Sequence, residues 1–276
     1  MIIFRNLHEI NLNILQKHFN HRFSQQIWRV LAHPHPQRGE WVLELRDPAT
    51  KTVSFAVLDT KLQKLRWELA PANSDWWTSL TAVAGEQVYC HDYRYPEIPE
   101  PTDLRSLSIE DGRSLWELPG YIMVQPLDDD WILVSGKQTG QHKYSYVQAN
   151  TGAISPFKEQ GSPKLVSEQL QTPRILKKGD AYFEQMFDFI LHMSPNHRAT
   201  RIEYMDSNPF MMFSYYIYEQ EKLVQFLLVV NKNKDILLHE PISEPADALG
   251  QGTMLMKGKE LVYLRYKNEF SSLTLI

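Results

Sequence analysis

The chain has 276 residues, 43% of them hydrophobic and 22% charged, which excludes a disordered chain. A net charge of −4 and a pI near 6.2 exclude the basic footprint of a nucleic-acid binder. One cysteine, Cys90, excludes an internal disulfide framework.

Residues 1–9 place charge where a signal peptide needs an apolar core. The longest apolar run, Phe226-Leu-Leu-Val-Val230, is far too short to cross a bilayer. The expectation is a soluble, cytoplasmic chain with no membrane and no nucleic-acid partner. Aromatic residues make up 12%, and flat, bulky side chains suit half-buried pleated surfaces, so the composition leans toward sheet.

In chain order, Ile2-Ile3-Phe4 reads as a short strand. Strands are then predicted over 26–32, 40–46, 53–59 and 64–69, and a second group over 78–84, 87–93, 104–110 and 114–118. A third group covers 121–126, 131–135, 143–149 and 153–157. Segment 158–199 is broken by Pro163, Pro173 and Pro195, and Tyr182–Leu191 reads equally as strand or short helix. A fourth group follows over 200–206, 210–218, 222–231 and 235–240. Only three strands remain at the end, over 253–257, 260–266 and 271–276.

Four hairpins share a pattern of apolar strand, tight polar turn and short strand. Asp111-Gly112, Asn150-Thr151-Gly152 and Asn231-Lys232-Asn233 supply turn residues that tolerate positive φ. Two of the hairpins close on nearly the same sequence, Leu-Arg-Trp67-Glu-Leu and Leu-Trp116-Glu-Leu. The two tryptophans stand 49 residues apart, about one four-stranded blade. The pattern resembles the quinoprotein-like (PQQ-type) repeat, in which an apolar strand ends at an Asp-x-x-Gly turn and the next strand closes on Trp.

That resemblance implies an all-β chain, a β-propeller of about five or six four-stranded antiparallel blades, of an uncharacterised propeller-like family. It implies no activity. Residues 1–276 are expected to form a single propeller-like domain with an irregular blade or, preferably, an insertion at 158–199. The last blade is expected to be closed by the N-terminal strand, with Ile2-Ile3-Phe4 as the candidate. Trp67 and Trp116 are expected to dock each sheet on its neighbour, the role of the repeat's Trp. The likeness is to the scaffold of the quinone enzymes alone. With no adjacent Cys pair and no calcium-ligand set, no cofactor is expected.

No catalytic motif stands out. His33-Pro34-His35-Pro36 reads as a polar loop, because zinc needs three or four ligands at workable spacing. Asp128-Asp129-Asp130 reads as an acidic turn, because it lacks the alternating register of a calcium loop. Cys90 and His91 are adjacent on a strand and point to opposite faces, so they cannot act as nucleophile and base together. No metal site is expected.

The richest connections are 70–77, 93–103 and 136–143, and strand alternation sends all three to one end of the blades. Trp76, Trp77, Tyr93, Arg94, Tyr95 and His142 are the candidate binding residues there. The sequence therefore points to a non-catalytic binding or scaffolding propeller that recognises a protein or peptide. The alternative is a hydrolase or lyase acting on a sugar or other polar small molecule at the central channel.

Overall fold

The computed structural model describes residues 15–95, 97, 100–138, 141–156, 168–250 and 252–276. Two compact units divide the chain, one of residues 23–169 and the other of residues 1–22 with 170–276. The fold is all-β, five antiparallel up-and-down sheets of the kind that form propeller blades.

The unit of residues 23–169 holds three four-stranded sheets. The first is β2 (Gln26–Ala32), β3 (Glu40–Asp47), β4 (Thr52–Asp59) and β5 (Lys64–Leu69). The second is β6 (Ser79–Ala84), β7 (Gln87–Asp92), β8 (Asp103–Ser108) and β9 (Ser114–Pro119). The third is β10 (Tyr121–Pro126), β11 (Trp131–Gln138), β12 (Gln141–Gln148) and β13 (Ile154–Pro156). In each sheet the order in space follows the order in sequence. Each first strand carries a bulge, at Ile27/Arg29, Leu80/Ala82 and Met123/Gln125. A bulge adds twist and re-aims one side chain.

The middle strands are buried on both faces, as Trp41, Val42, Leu43, Phe55, Ala56 and Val57 show. One apolar cluster joins Val42, Phe55, Val57 and Trp67 of the first sheet to Leu80, Val88, Cys90 and Leu107 of the second. Another joins Tyr89, Leu104 and Trp116 to Ile132, Val134 and Val147 of the third. The sheets thus pack face to face.

The two repeat tryptophans are structural equivalents, as expected. Trp67 and Trp116 are 8% and 9% exposed. Trp67 Nε1–H donates to the Ile109 carbonyl at 2.9 Å, and Trp116 Nε1–H to the Ala149 carbonyl at 2.7 Å, each acceptor lying just past the third strand of the next sheet. The glycine of that next hairpin lies flat on the ring. A Cβ at Gly112 would fall 2.9 Å from Trp67, and one at Gly152 2.8 Å from Trp116. Both glycines also have positive φ, 74° and 72°. The residue type is therefore required twice, by turn conformation and by close approach.

The other unit contains two sheets. One is five-stranded, β14 (Arg174–Lys177), β15 (Arg201–Ser207), β16 (Phe210–Glu219), β17 (Lys222–Asn231) and β18 (Ile236–Pro241). Helix α1 (Phe183–Met193) has Phe183, Met186, Phe187, Ile190 and Met193 at helical spacing, and this apolar face packs against Phe213, Tyr215, Leu228 and Val230. Segment 158–199 thus contributes, in its described part, an added edge strand and a helix laid on an existing sheet. Within it, Tyr182–Leu191 is helical from Phe183 onward.

The last sheet has the order β1-β21-β20-β19, from β1 (Leu15–Arg22), β19 (Met254–Lys257), β20 (Glu260–Arg265) and β21 (Glu269–Leu275). The N-terminal strand completes it, but that strand is Leu15–Arg22 rather than Ile2-Ile3-Phe4, which lies outside the described residues. Leu15 pairs with Leu275 and Arg22 with Glu269, while β20 occupies the other edge of β21. Among the described residues no helix is long and apolar enough to cross a membrane.

Candidate functional site

Within the unit of residues 23–169, antiparallel order sends successive connections to opposite ends of the sheets. One end gathers the β3–β4 turn, the β5–β6 connection and the β7–β8 loop. Arg46, at the end of β3, donates to the carbonyls of Trp76 and of Thr78, the latter at 3.1 Å. Its guanidinium lies 4.8 Å from the Trp76 ring and 5.5 Å from Trp28, and Lys51 Nζ lies 4.9 Å from Trp76. Trp28 meets Trp76 edge-on with centroids 6.2 Å apart. Glu44 anchors Arg46 at 2.7 Å and accepts the Leu80 N–H at 2.8 Å. Charge, ring and backbone are thus fixed together.

The β7–β8 loop is tied to the same end. Arg105 donates to the Ala72 and Asn73 carbonyls at 2.8 and 3.1 Å and pairs with Asp92, which accepts from the Thr78 hydroxyl at 2.7 Å. Burial pushes the Asp92 carboxyl up, opposed by Thr78 and Arg105. Arg94 pairs with Asp103. Although partly desolvated, Asp103 is held below the usual carboxylate range by Thr102, the Gly120 N–H and Arg94.

The structure therefore brings Trp76 and Trp77 into the tied β5–β6 connection and sets Tyr93, Arg94 and Tyr95 on the loop beside Asp92. Trp77 and Tyr95 are 44% and 50% exposed, Arg94 is exposed, and Tyr93 and Trp76 are half-buried. His142 does not lie in a loop. The β11–β12 ladder continues past the expected strand ends and pairs it with Lys137 within β12, and its side chain falls outside the described part. Two members of the aromatic surface were not foreseen. Trp28 is 52% exposed at the β2 bulge, and Arg46 is buried beneath the rings. The usable signal was a Trp inside Gln25-Gln26-Ile27-Trp28-Arg29, at a position where alternation leaves a side chain outside.

The opposite end gathers the β2–β3 loop and the β6–β7, β10–β11 and β12–β13 turns. His33, His35, Arg38, Gly85, Glu86, Asp129, Asp130 and Asn150 line a cavity of about 280 Å³ there. The His-Pro-His-Pro loop and the acidic triplet, far apart in sequence, share this wall. His33 is buried and structural. Its Nδ1 accepts the His35 N–H at 3.1 Å, so Nε2 carries the hydrogen and donates to the Gly85 carbonyl at 2.9 Å. Arg38 bridges Glu40 and Glu86, and these hydrogen bonds hold its guanidinium more firmly protonated despite desolvation. Among the described residues no group of three or more His, Cys, Asp or Glu is placed to hold a metal ion.

Cys90 and His91 are separately engaged. Burial pushes the Cys90 thiol up. Burial also pushes His91 down to about 4, and its Nε2 accepts the Met123 N–H at 3.0 Å while Nδ1 meets Thr81 Oγ1 at 2.8 Å.

The sequence of residues 35–116 matches a family described as a domain of unknown function, DUF4905. No curated protein matches. Among solved structures, the β-propeller domain of the Trilobed protease from Pyrococcus furiosus is 11% identical, with a TM-score of 0.32 over 90% of this chain. The match spans 65% of that chain's length. The Dos1 propeller is 7% identical, with a TM-score of 0.26 over 96% of this chain and 97% of its own. At such scores these likenesses carry no argument about function, and the fold rests on the strand order and packing given above.

Proposed function

We propose that this protein is a non-catalytic binding or scaffolding module that recognises a protein or peptide on its aromatic loop end. The observation that carries the reading is the set of exposed rings, Trp28, Trp77 and Tyr95, at the end of the sheets that Arg46 and Arg105 tie together. Large aromatics give contact area at low entropic cost, and Arg94 adds a planar hydrogen-bonding fork at the rim. Trp28 stands against Trp76 and the Arg46 guanidinium, and a ring held in place before a partner arrives costs less to bind.

The test is a peptide-display selection on the full chain, with recovered sequences re-measured against Trp28→Ala, Trp77→Ala and Tyr95→Ala. A loss of affinity of at least tenfold in two of the three variants is expected. Peptides that bind all three variants as tightly as the parent would overturn the assignment of this end.

A further inference from the structure

In the unit of residues 1–22 with 170–276, two imidazoles meet at one phenol oxygen. We propose that His197, Tyr215 and His239 bind a divalent transition-metal ion of borderline softness, such as zinc.

His197 lies on the turn after α1, where its backbone N–H donates to the Ser194 carbonyl at 2.9 Å. Tyr215 stands in β16 and His239 in β18. The Tyr215 hydroxyl is 2.7 Å from His197 Nδ1 and 2.7 Å from His239 Nε2. Phe226 of β17 packs on both imidazoles, with ring centroids 4.4 Å from His197 and 5.7 Å from His239. The third ligand is thus a phenol rather than another His, Cys, Asp or Glu. Two imidazole nitrogens suit zinc or copper better than magnesium or calcium, which prefer all-oxygen sites.

The distances fit with little movement. In a tetrahedral zinc site with bonds of about 2.0 Å, neighbouring ligand atoms stand about 3.3 Å apart. Each contact to the phenol oxygen needs to open by only about half an ångström to reach that spacing. Tyr215 is buried while both imidazoles are half-buried, so the imidazole side is where an ion enters and where water completes its coordination.

The hydrogens of the cluster point the same way. A phenol carries one hydrogen and donates it to one nitrogen, so the other imidazole must donate to the oxygen. Burial lowers both His197 and His239, outweighing the opposite pull of Glu219 on His197, and His197 lowers His239 further. Both rings are therefore kept neutral, the form that ligates a metal. When an ion enters, the donating imidazole carries its hydrogen on its other nitrogen instead, and the phenol hydrogen leaves to solvent. One proton is released per ion bound. Burial holds the Tyr215 phenol protonated until the charge of the ion offsets that cost. The bound ion ties the turn after α1 to β16 and β18 and so stabilises the folded chain.

The test uses the full chain after treatment with a chelator. Zinc chloride is titrated by calorimetry in two buffers of different ionisation enthalpy, with magnesium chloride as the control and thermal shift alongside. One zinc per chain is expected, in the micromolar range or tighter, with one proton released, a raised melting temperature and no response to magnesium. His197→Gln and His239→Gln should each weaken zinc binding by at least tenfold, and Tyr215→Phe should abolish the proton release. No zinc binding by the parent, binding without proton release, or parental affinity in both histidine variants would each overturn the assignment. The first two outcomes need only the parent chain, so a variant that fails to fold does not shelter the proposal.

Discussion

The two units are built from the same kind of sheet but fasten their sheets differently. Between residues 23 and 169 the fastening is repeated and directional. A buried indole on one outer strand donates to a carbonyl of the next sheet and lies on its hairpin glycine, at Trp67/Gly112 and again at Trp116/Gly152. In the other unit the corresponding hairpin, Asn231–Asp235, has no glycine, and no tryptophan occurs after Trp131. There the two sheets share a cluster of Met205, Met212, Leu227, Val229, Met254, Met256, Leu261 and Leu273. A polar chain links them as well, with Thr253 donating to Glu203 Oε2 and Gln225 donating to Ser214 and Thr253. Methionine fills irregular gaps without demanding one geometry. Directional docking leaves a repeat in the sequence, and apolar filling leaves none.

The largest expected effect tests the fastening that involves chain ends. Deleting residues 1–22 removes β1, bares the outer edge of β21 and breaks the pairs of Asn20 and Arg22 with Glu269. The loss should exceed about 5 kcal/mol and bring aggregation, seen as a collapsed denaturation midpoint. A truncated chain that melts like the parent would remove the closure from the fold.

Next come the tryptophans. Trp67→Ala or Trp116→Ala should each cost about 3–5 kcal/mol, by lost burial, a cavity and an orphaned carbonyl. Equal losses at the two sites would confirm their equivalence. A loss under about 1 kcal/mol at either would break the comparison between the units.

Acid and base sharpen it further, because the units contain buried groups of opposite sign. His91 titrates near 4 in the folded chain against an ordinary 6.5, so the stability it carries is present above 6.5 and lost as pH falls toward 4. The loss should reach about 3 kcal/mol, and in His91→Asn the slope of stability between pH 6.5 and 4 should flatten. Glu203 is the reverse case. Burial raises its carboxyl, so the stability it carries is present at acid pH and lost as pH rises above the ordinary 4.5. Glu203→Gln should gain on the order of 1 kcal/mol at pH 8 and little at pH 4, by chemical denaturation at the two pH values.

Strand positions were legible because alternation and turn residues are local. The four strands placed between residues 26 and 69 agree with β2–β5 to within one residue at each end. Helix α1 was ambiguous because a short apolar run satisfies either period until its partner sheet is known. The closing strand was misplaced because Leu15–Arg22, with Lys17, His18, Asn20 and His21, is too polar to announce itself. It pairs along the edge of β21, with Phe19 set against Phe270. The loop end was legible in part, since strand count alone determines which connections share an end. Trp28 had a local signal in strand alternation, whereas Arg46 had none, because a buried cation packed against two rings is a tertiary fact. The cavity was hidden for the same reason. His33 and Asp129 lie nearly a hundred residues apart, and each reads alone as an ordinary loop residue.

The smallest effect carries the most about function. Trp77→Ala and Tyr95→Ala remove rings that are about half exposed. Surface truncations of this kind shift stability by no more than about 0.5 kcal/mol. Trp67→Ala, at the same residue type, should cost several times more, because that ring is docked on Gly112 and its N–H is spent on Ile109. The contrast separates two uses of tryptophan in one unit, one that joins sheets and one kept outward for a partner. Denaturation curves for Trp77→Ala and Tyr95→Ala should overlay the parent's while the selected peptides lose at least tenfold in affinity. A stability loss above about 2 kcal/mol at Trp77 would mean that its ring serves the fold after all, and the binding surface would then contract to Tyr95, Arg94 and Trp28.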